Sequence, residues 1–325
     1  MNKLLAYLID SYALYDLHKK RSNKFHYYKG ISTPPAVSDL HTFYTVPETP
    51  GIIFEFQSQN EGYNIGKYKY ESSIRDNDDS NRYSTGTCYV NANNRQQVSA
   101  ILVHGWRMNS FSRIDNIYLK PFMDLGYDIY HFTLPHHFER TPAISLYNGE
   151  LMVSANIDRT LLSVKQAISD LRALISFIKE IRNQKVILVG ISLGGFITNL
   201  ASVIEEKIDI LISVMYANSI AFSVFKSIPG KYMKGDFETH GFTYEELKEY
   251  WAITEPSNFK PVVKKENILL ISGRYDRYVL GQDTDLLWDA WDKPKRLLYP
   301  SGHAGIVLYR DRIAKDSMKF ISSIM

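Results

Sequence analysis

A serine, an aspartate and a histidine follow one another along this chain in surroundings that suit acyl transfer. Ser192 lies in Gly190-Ile191-Ser192-Leu193-Gly194-Gly195, a G-x-S-x-G pattern. Before it runs Lys185-Val186-Ile187-Leu188-Val189, a short β-branched stretch that reads as a strand. After it, Phe196-Ile197-Thr198-Asn199-Leu200-Ala201 reads as the start of a helix. A strand, a sharp turn and a helix lift a serine hydroxyl above a sheet in a sparsely populated backbone conformation. The glycines two residues before and after leave room for the helix to pass close to the strand.

A hydroxyl becomes a nucleophile when a base takes its proton, and the base needs an orienting acid. Residues 266–272 form another buried-strand pattern, and Gly273-Arg274-Tyr275-Asp276 follows it. Arg296-Leu297-Leu298-Tyr299 reads as the last strand. The loop Pro300-Ser301-Gly302-His303-Ala304-Gly305 comes next, with small residues that let an imidazole lean back toward the serine. His303 is therefore the expected base and Asp276 the expected acid. Asp283 and Asp285 are rival acids. They lie deeper in the next segment and are expected to be helix-start or surface residues.

The developing oxyanion needs backbone N–H donors. Leu193 follows the nucleophile and supplies one. Ser99-Ala100-Ile101-Leu102-Val103 is an apolar strand that ends in His104-Gly105-Trp106. Gly105 can turn the next N–H toward the site, so Trp106 is the expected second donor. His104 precedes that glycine and is expected to orient or pack rather than act as a base.

Through His104-Gly105-Trp106, Gly190-x-Ser192-x-Gly194, Asp276 and His303, in that order, the chain resembles the α/β-hydrolase superfamily. The likeness covers about residue 86 to the C-terminus. It implies a mostly parallel central sheet flanked by helices, a serine nucleophile and a two-donor oxyanion hole. It implies no substrate, because this fold hosts many chemistries. The first 85 residues match no recognised pattern.

Composition fits an α/β enzyme. The chain has 325 residues, a formal charge of +3 and one cysteine, Cys88. That length suits one domain with insertions. A single cysteine excludes an internal disulfide framework, and its strand-like setting predicts a packed thiol. No basic stripe interleaved with aromatics points to nucleic acid. No run approaches the roughly 18 apolar residues of a membrane span. The N-terminal apolar run is too short and too soon charged for a signal peptide, so a cytoplasmic location is expected. No cofactor is called for, and nothing sets an oligomeric state.

The elements that must hold these residues are legible in outline. Met1, Leu4, Leu5, Leu8, Tyr12 and Tyr15 recur at helical spacing over residues 1–20, predicting a helix packed on the body. Lys19-Lys20-Arg21 and Lys24 would form its solvated basic end, or with the helix a peripheral membrane contact. Prolines break residues 34–50 into loop. Strand patterns follow at 52–57, 63–72, 86–91 and 99–103. Their short connections predict an antiparallel start to the sheet. From there strands and helices alternate: a helix at 112–125 interrupted at Pro121, a strand at 127–133, a long amphipathic helix at 156–181, the Ser192 strand, and a strand at 209–216. That alternation argues a mostly parallel sheet with helices on both faces.

Two insertions bear on substrate. Residues 134–155 leave a strand end and carry His136, His137 and Arg140. Adjacent histidines point apart in an extended chain and no third ligand has a recognised spacing, so no metal is expected there. With Arg107 these residues are expected to line a positive rim at the pocket mouth, suited to a substrate with an apolar acyl chain and an anionic or strongly polar head. The alternative pairs Arg107 with a nearby acid such as Asp115, where it would only anchor the loop. Residues 217–263 carry Phe222, Phe225, Tyr232, Met233, Phe237, Phe242, Tyr244, Tyr250 and Trp251 and read as a lid, whose aromatics form either its own core or an acyl pocket. The expected function is a serine hydrolase acting on a small ester-type substrate through an acyl-enzyme. The alternatives are a non-catalytic member of the same fold, or an acyltransferase or peptidase using the same three residues.

Overall fold

The computed structural model describes residues 1–19, 28–29, 33–75 and 78–325. Lys20, Arg21 and Lys24, read as a basic helix end, lie outside the described residues. Among the described residues nine strands form one sheet in the order β1-β2-β3-β5-β4-β6-β7-β8-β9. Its first strands, β1 (Ile53–Asn60), β2 (Tyr63–Glu71) and β3 (Tyr83–Asn91), pair antiparallel, and β3 pairs antiparallel with β5 (Asp128–Phe132). From there the pairing is parallel: β5, β4 (Val98–Val103), β6 (Lys185–Ile191), β7 (Ile210–Val214), β8 (Ile268–Gly273) and β9 (Lys295–Tyr299).

The expected antiparallel start holds for β1 to β3 but not for β4. The short 92–97 connection does not make a hairpin. It carries the chain past the place later filled by β5, and β4 joins the parallel set. The apolar run 98–103 suits that place, because both of its faces are buried.

Side chains of β6 show how the sheet is covered. Val186 and Leu188 join one apolar cluster, Ile187, Val189 and Ile191 the other. On the first face lie α4 (Ile157–Ser176) and α5 (Leu193–Ala201); on the second lie α3 (Ser112–Asp124) and α10 (Arg310–Ser322). The Asn156 side chain accepts from the Arg159 N–H and caps α4, which runs on into a π turn at Phe177–Ile181. The expected break at Pro121 does not occur. Pro121 stays inside α3, and its carbonyl accepts from the Leu125 N–H at the helix end.

Between β7 and β8 the chain forms α6 (Ile220–Lys226), α7 (Lys231–Thr239) and α8 (Tyr244–Tyr250). Phe237 is buried at their centre, with the rings of Phe225, Phe242 and Trp251 5.6–6.1 Å away. Most of the segment's aromatics therefore form its own core. After β8 comes α9 (Gly281–Ala290); a short α2 (Leu40–Phe43) lies in the Pro-rich stretch.

At the N-terminus, α1 (Lys3–Lys19) packs on the body, but through the face opposite to the one predicted. Ala6, Asp10 and Leu14 are buried. Leu4 is 69% exposed, Leu8 59%, Tyr12 76% and Tyr15 71%. Helical spacing identified a stripe but not the side that docks. Cys88 is buried, and burial pushes its thiol up to about 12, so it is a packed, unreactive group. Among the described residues no helix is long and apolar enough to cross a membrane.

Candidate active site

Strand β6 ends at Ile191, and Ser192 turns the chain into α5. Ser192 has φ 57° and ψ −116°, a conformation that L-residues rarely adopt. Such strain costs on the order of 1–3 kcal/mol and must be held by its surroundings. Here the Ser192 N–H donates to the Val214 carbonyl at 2.9 Å. Gly194 supplies the close approach: a Cβ there would lie 2.2 Å from the Val103 carbonyl oxygen. The turn and the two strands beside it thus lock together.

Asp276 comes three residues after β8, His303 four residues after β9. His303 Nε2 lies 3.0 Å from Ser192 Oγ, and His303 Nδ1 lies 2.8 Å from Asp276 Oδ2. The other Asp276 oxygen accepts from the Tyr278 and Val279 N–H groups at 2.8 and 2.9 Å, which hold the carboxylate in place. An anionic acceptor at Nδ1 selects the tautomer with its proton there and leaves the Nε2 lone pair toward Ser192. The Tyr278 ring stacks on the imidazole at 4.6 Å and 13°, a contact with no signature in the sequence.

The rival acids stand elsewhere. Asp285 pairs with Arg296 at 2.5 Å, at the surface. Asp283 is in the first turn of α9, as expected, but it is buried rather than exposed. Its carboxylate accepts from the Asn218 and Ser219 N–H groups at 2.7 and 3.0 Å, and burial pushes its pKa up to about 7.

The loop after β4 brings Gly105 against the serine, with a Cβ there only 3.1 Å from Ser192 Cβ. Two neutral histidines brace this loop. His104 Nδ1–H donates to the Gly105 carbonyl at 2.8 Å, and its Nε2 accepts from the Leu134 N–H at 3.1 Å. His137 Nδ1–H donates to the Pro135 carbonyl at 2.8 Å, and its Nε2 accepts from the Arg107 N–H at 3.3 Å. Each ring has one partner that can only accept and one that can only donate, which requires the neutral form. Burial agrees: it lowers His104 to about 4 and His137 well below the ordinary histidine range. The Trp106 indole N–H donates to the Gly149 carbonyl at 2.7 Å and anchors the loop's outer edge.

This arrangement corrects the positive rim. His136 and His137 are buried, so neither presents a ring to a substrate at the surface. His136 accepts from Asn81 Nδ2 at 2.9 Å and reaches the Ser163 hydroxyl at 3.1 Å, and burial lowers it to about 3. Arg140 is also buried, in an ion pair with Asp170 at 2.9 Å. A histidine pair between a strand end and a polar loop looks the same in sequence whether it faces solvent or the interior. Asp115 lies 2.7 Å from His131 Nε2. The Arg107 guanidinium lies 3.7 Å from the centre of the Tyr147 ring. Trp106, Arg107, Tyr147, Tyr232 and Met233 border a nook of about 10 Å³ beside the loop, closed on another side by His18 of α1. Among the described residues no three His, Cys, Asp or Glu side chains converge as a metal site requires.

The model of the alpha/beta hydrolase family matches residues 100–313. The uncharacterized protein YdjC of Bacillus subtilis is 46% identical over 111 residues, 34% of this chain and 96% of that protein. An uncharacterized protein of Mycobacterium tuberculosis is 27% identical over 188 residues, 56% of this chain and 43% of the other, so the chain spans less than half of that relative. Among solved structures, an acetyl xylan esterase from Paenibacillus sp. R4 has a TM-score of 0.68 at 14% identity, covering 92% of this chain and 98% of that one. At that identity the likeness is one of fold.

Proposed function

The chain belongs to the alpha/beta hydrolase family, and from that premise we propose that it is a serine hydrolase cleaving an ester-type acyl bond. The observation that carries this reading is the chain of contacts from Ser192 Oγ through His303 to Asp276, at 3.0 and 2.8 Å, set on three strand ends. In this reading His303 Nε2 takes the Ser192 proton as Oγ attacks the acyl carbon. The N–H groups of Leu193 and Trp106 receive the oxyanion. His303 then passes the proton to the leaving alkoxide oxygen, and an acyl-Ser192 ester remains. Water attacks that ester with His303 again as base, releasing the acid and restoring the hydroxyl. Asp276 stays ionised and stabilises the imidazolium.

The fold-level neighbour named for an acetyl ester supports a short acyl group. Residues 217–263 and α1 would then form the lid over the site, with Arg107 the polar contact at its edge.

The test is a series of p-nitrophenyl esters from acetate to decanoate, with Ser192→Ala as control. The expected result is turnover that is greatest on the shortest esters and absent in the control. Turnover equal in wild type and Ser192→Ala would remove the proposal.

A further inference from the structure

The most unusual charged group outside the three proposed catalytic residues is Asp10. It sits in the middle of α1, on the docking face with Ala6 and Leu14, and is fully buried. A buried carboxylate is costly unless its oxygens are satisfied. Those of Asp10 accept from three backbone N–H groups: His303 at 3.1 Å, Ala304 at 3.0 Å and Arg277 at 3.3 Å. One carboxylate thus bridges the loop that carries His303 and the loop that carries Asp276.

The surroundings are shaped for this contact. A Cβ at Gly302 would lie 2.6 Å from Asp10 Oδ2, so the residue before His303 must be small for the carboxylate to reach the backbone. Arg277 also donates from Nη1 to Ser11 Oγ at 2.7 Å, and its guanidinium lies 5.1 Å from the Tyr7 ring centre. Tyr7, Asp10 and Ser11, within little more than one turn of α1, therefore meet the residue next to Asp276.

We infer that Asp10 is a positioning residue: from the N-terminal helix it holds the His303 and Asp276 loops in the register that keeps the imidazole between Asp276 and Ser192. This inference rests on the serine-hydrolase reading above. The hydrogen bonds of Asp10 go to backbone N–H groups, so its effect on the reaction passes through the loops of His303 and Asp276. Loss of the bridge frees two loops whose side chains must keep both the 2.8 and the 3.0 Å contacts. A misplacement of about 1 Å in such a constellation costs on the order of 100-fold in rate.

The experiment compares wild type, Asp10→Ala, Asp10→Asn and Leu14→Ala. Active serine is titrated with a fluorophosphonate, and kcat and KM on p-nitrophenyl acetate are expressed per titrated site. Asp10→Ala is expected to lower kcat by ~10- to 100-fold with KM within about twofold, and to speed hydrogen exchange at the Ala304 amide. Asp10→Asn keeps one acceptor oxygen and should fall between it and wild type. Leu14→Ala loosens the same helix without touching the carboxylate, so it should lower Tm and leave kcat per titrated site unchanged. Wild-type kcat per site in Asp10→Ala, or equal kcat losses in Leu14→Ala and Asp10→Ala, would overturn the inference. If Asp10→Ala does not fold, Asp10→Asn decides: at least a threefold loss of kcat per site supports the role, and none overturns it. Failure of the wild type to react with the probe would instead strike the hydrolase reading, while the exchange measurement at Ala304 still tests the bridge.

Discussion

Single residues carry the proposed chemistry, and they differ in how legible they were. Ser192 could be read from sequence because its turn is built within six residues. Asp276 and His303 could be placed because each follows a strand end closely. Asp10 could not, since its partners lie more than 260 residues away and a mid-helix aspartate usually faces water. Asp276→Asn is expected to cut turnover by roughly 10,000-fold by favouring the wrong imidazole tautomer. Steady-state rates on a neutral ester check this, and a silent Asp276→Asn would displace it as the acid. His136 gives a second test. Its neutral form is satisfied and its folded pKa is lowered to about 3, so below the ordinary value of ~6.5 the unfolded chain binds a proton that the fold does not. Stability from this residue is present above about pH 6.5 and is lost as pH falls toward 3. His136→Gln should therefore be less stable than wild type at pH 7, with a deficit that shrinks by up to ~1.4 kcal/mol per pH unit on acidification. Denaturant midpoints at pH 7, 6 and 5 measure it; a constant deficit would contradict the buried neutral assignment.

Elements set where those residues meet. The apolar runs of the parallel strands were legible, because a strand buried on both faces is apolar throughout. The docking face of α1 was not: the sequence shows a stripe of Leu and Tyr, yet the fold buries Ala6, Asp10 and Leu14, since small side chains and one satisfied carboxylate allow a close approach to the His303 loop. The segment after β7 is held at its root by Asp283, which takes the N–H groups of Asn218 and Ser219. With a folded pKa of about 7, Asp283 favours the protonated form in the fold more than in the unfolded chain. Its stabilising contribution is complete below about pH 4 and is lost as pH rises through 7. Asp283→Asn should thus gain in Tm relative to wild type between pH 6 and 8. Relative Tm values independent of pH would contradict this account of the buried carboxyl.

At the scale of the whole molecule, the fold arises from one sheet whose two faces are both covered and whose strand ends converge on Ser192. Alternation of strands and helices revealed this class, whereas the place of β4 between β5 and β6 depended on a crossover that connection length alone misjudged. Arg107 lies where the loop after β4 meets α1 and the helices after β7, so substrate preference is a property of the assembled face. On esters of equal chain length, Arg107→Ala is expected to lose kcat/KM selectively on the anionic one, by about 1.5–3 kcal/mol. Equal losses on both would remove Arg107 from specificity. The central claim is that the assembled site activates Ser192, and covalent labelling tests it most directly. Wild type and His303→Ala are treated with a fluorophosphonate and read by intact mass and peptide mapping. The account predicts one phosphonate adduct on wild type, mapped to Ser192, and labelling of His303→Ala slowed by several orders of magnitude. An unlabelled wild type, an adduct on another residue, or equal rates in the two proteins would contradict it.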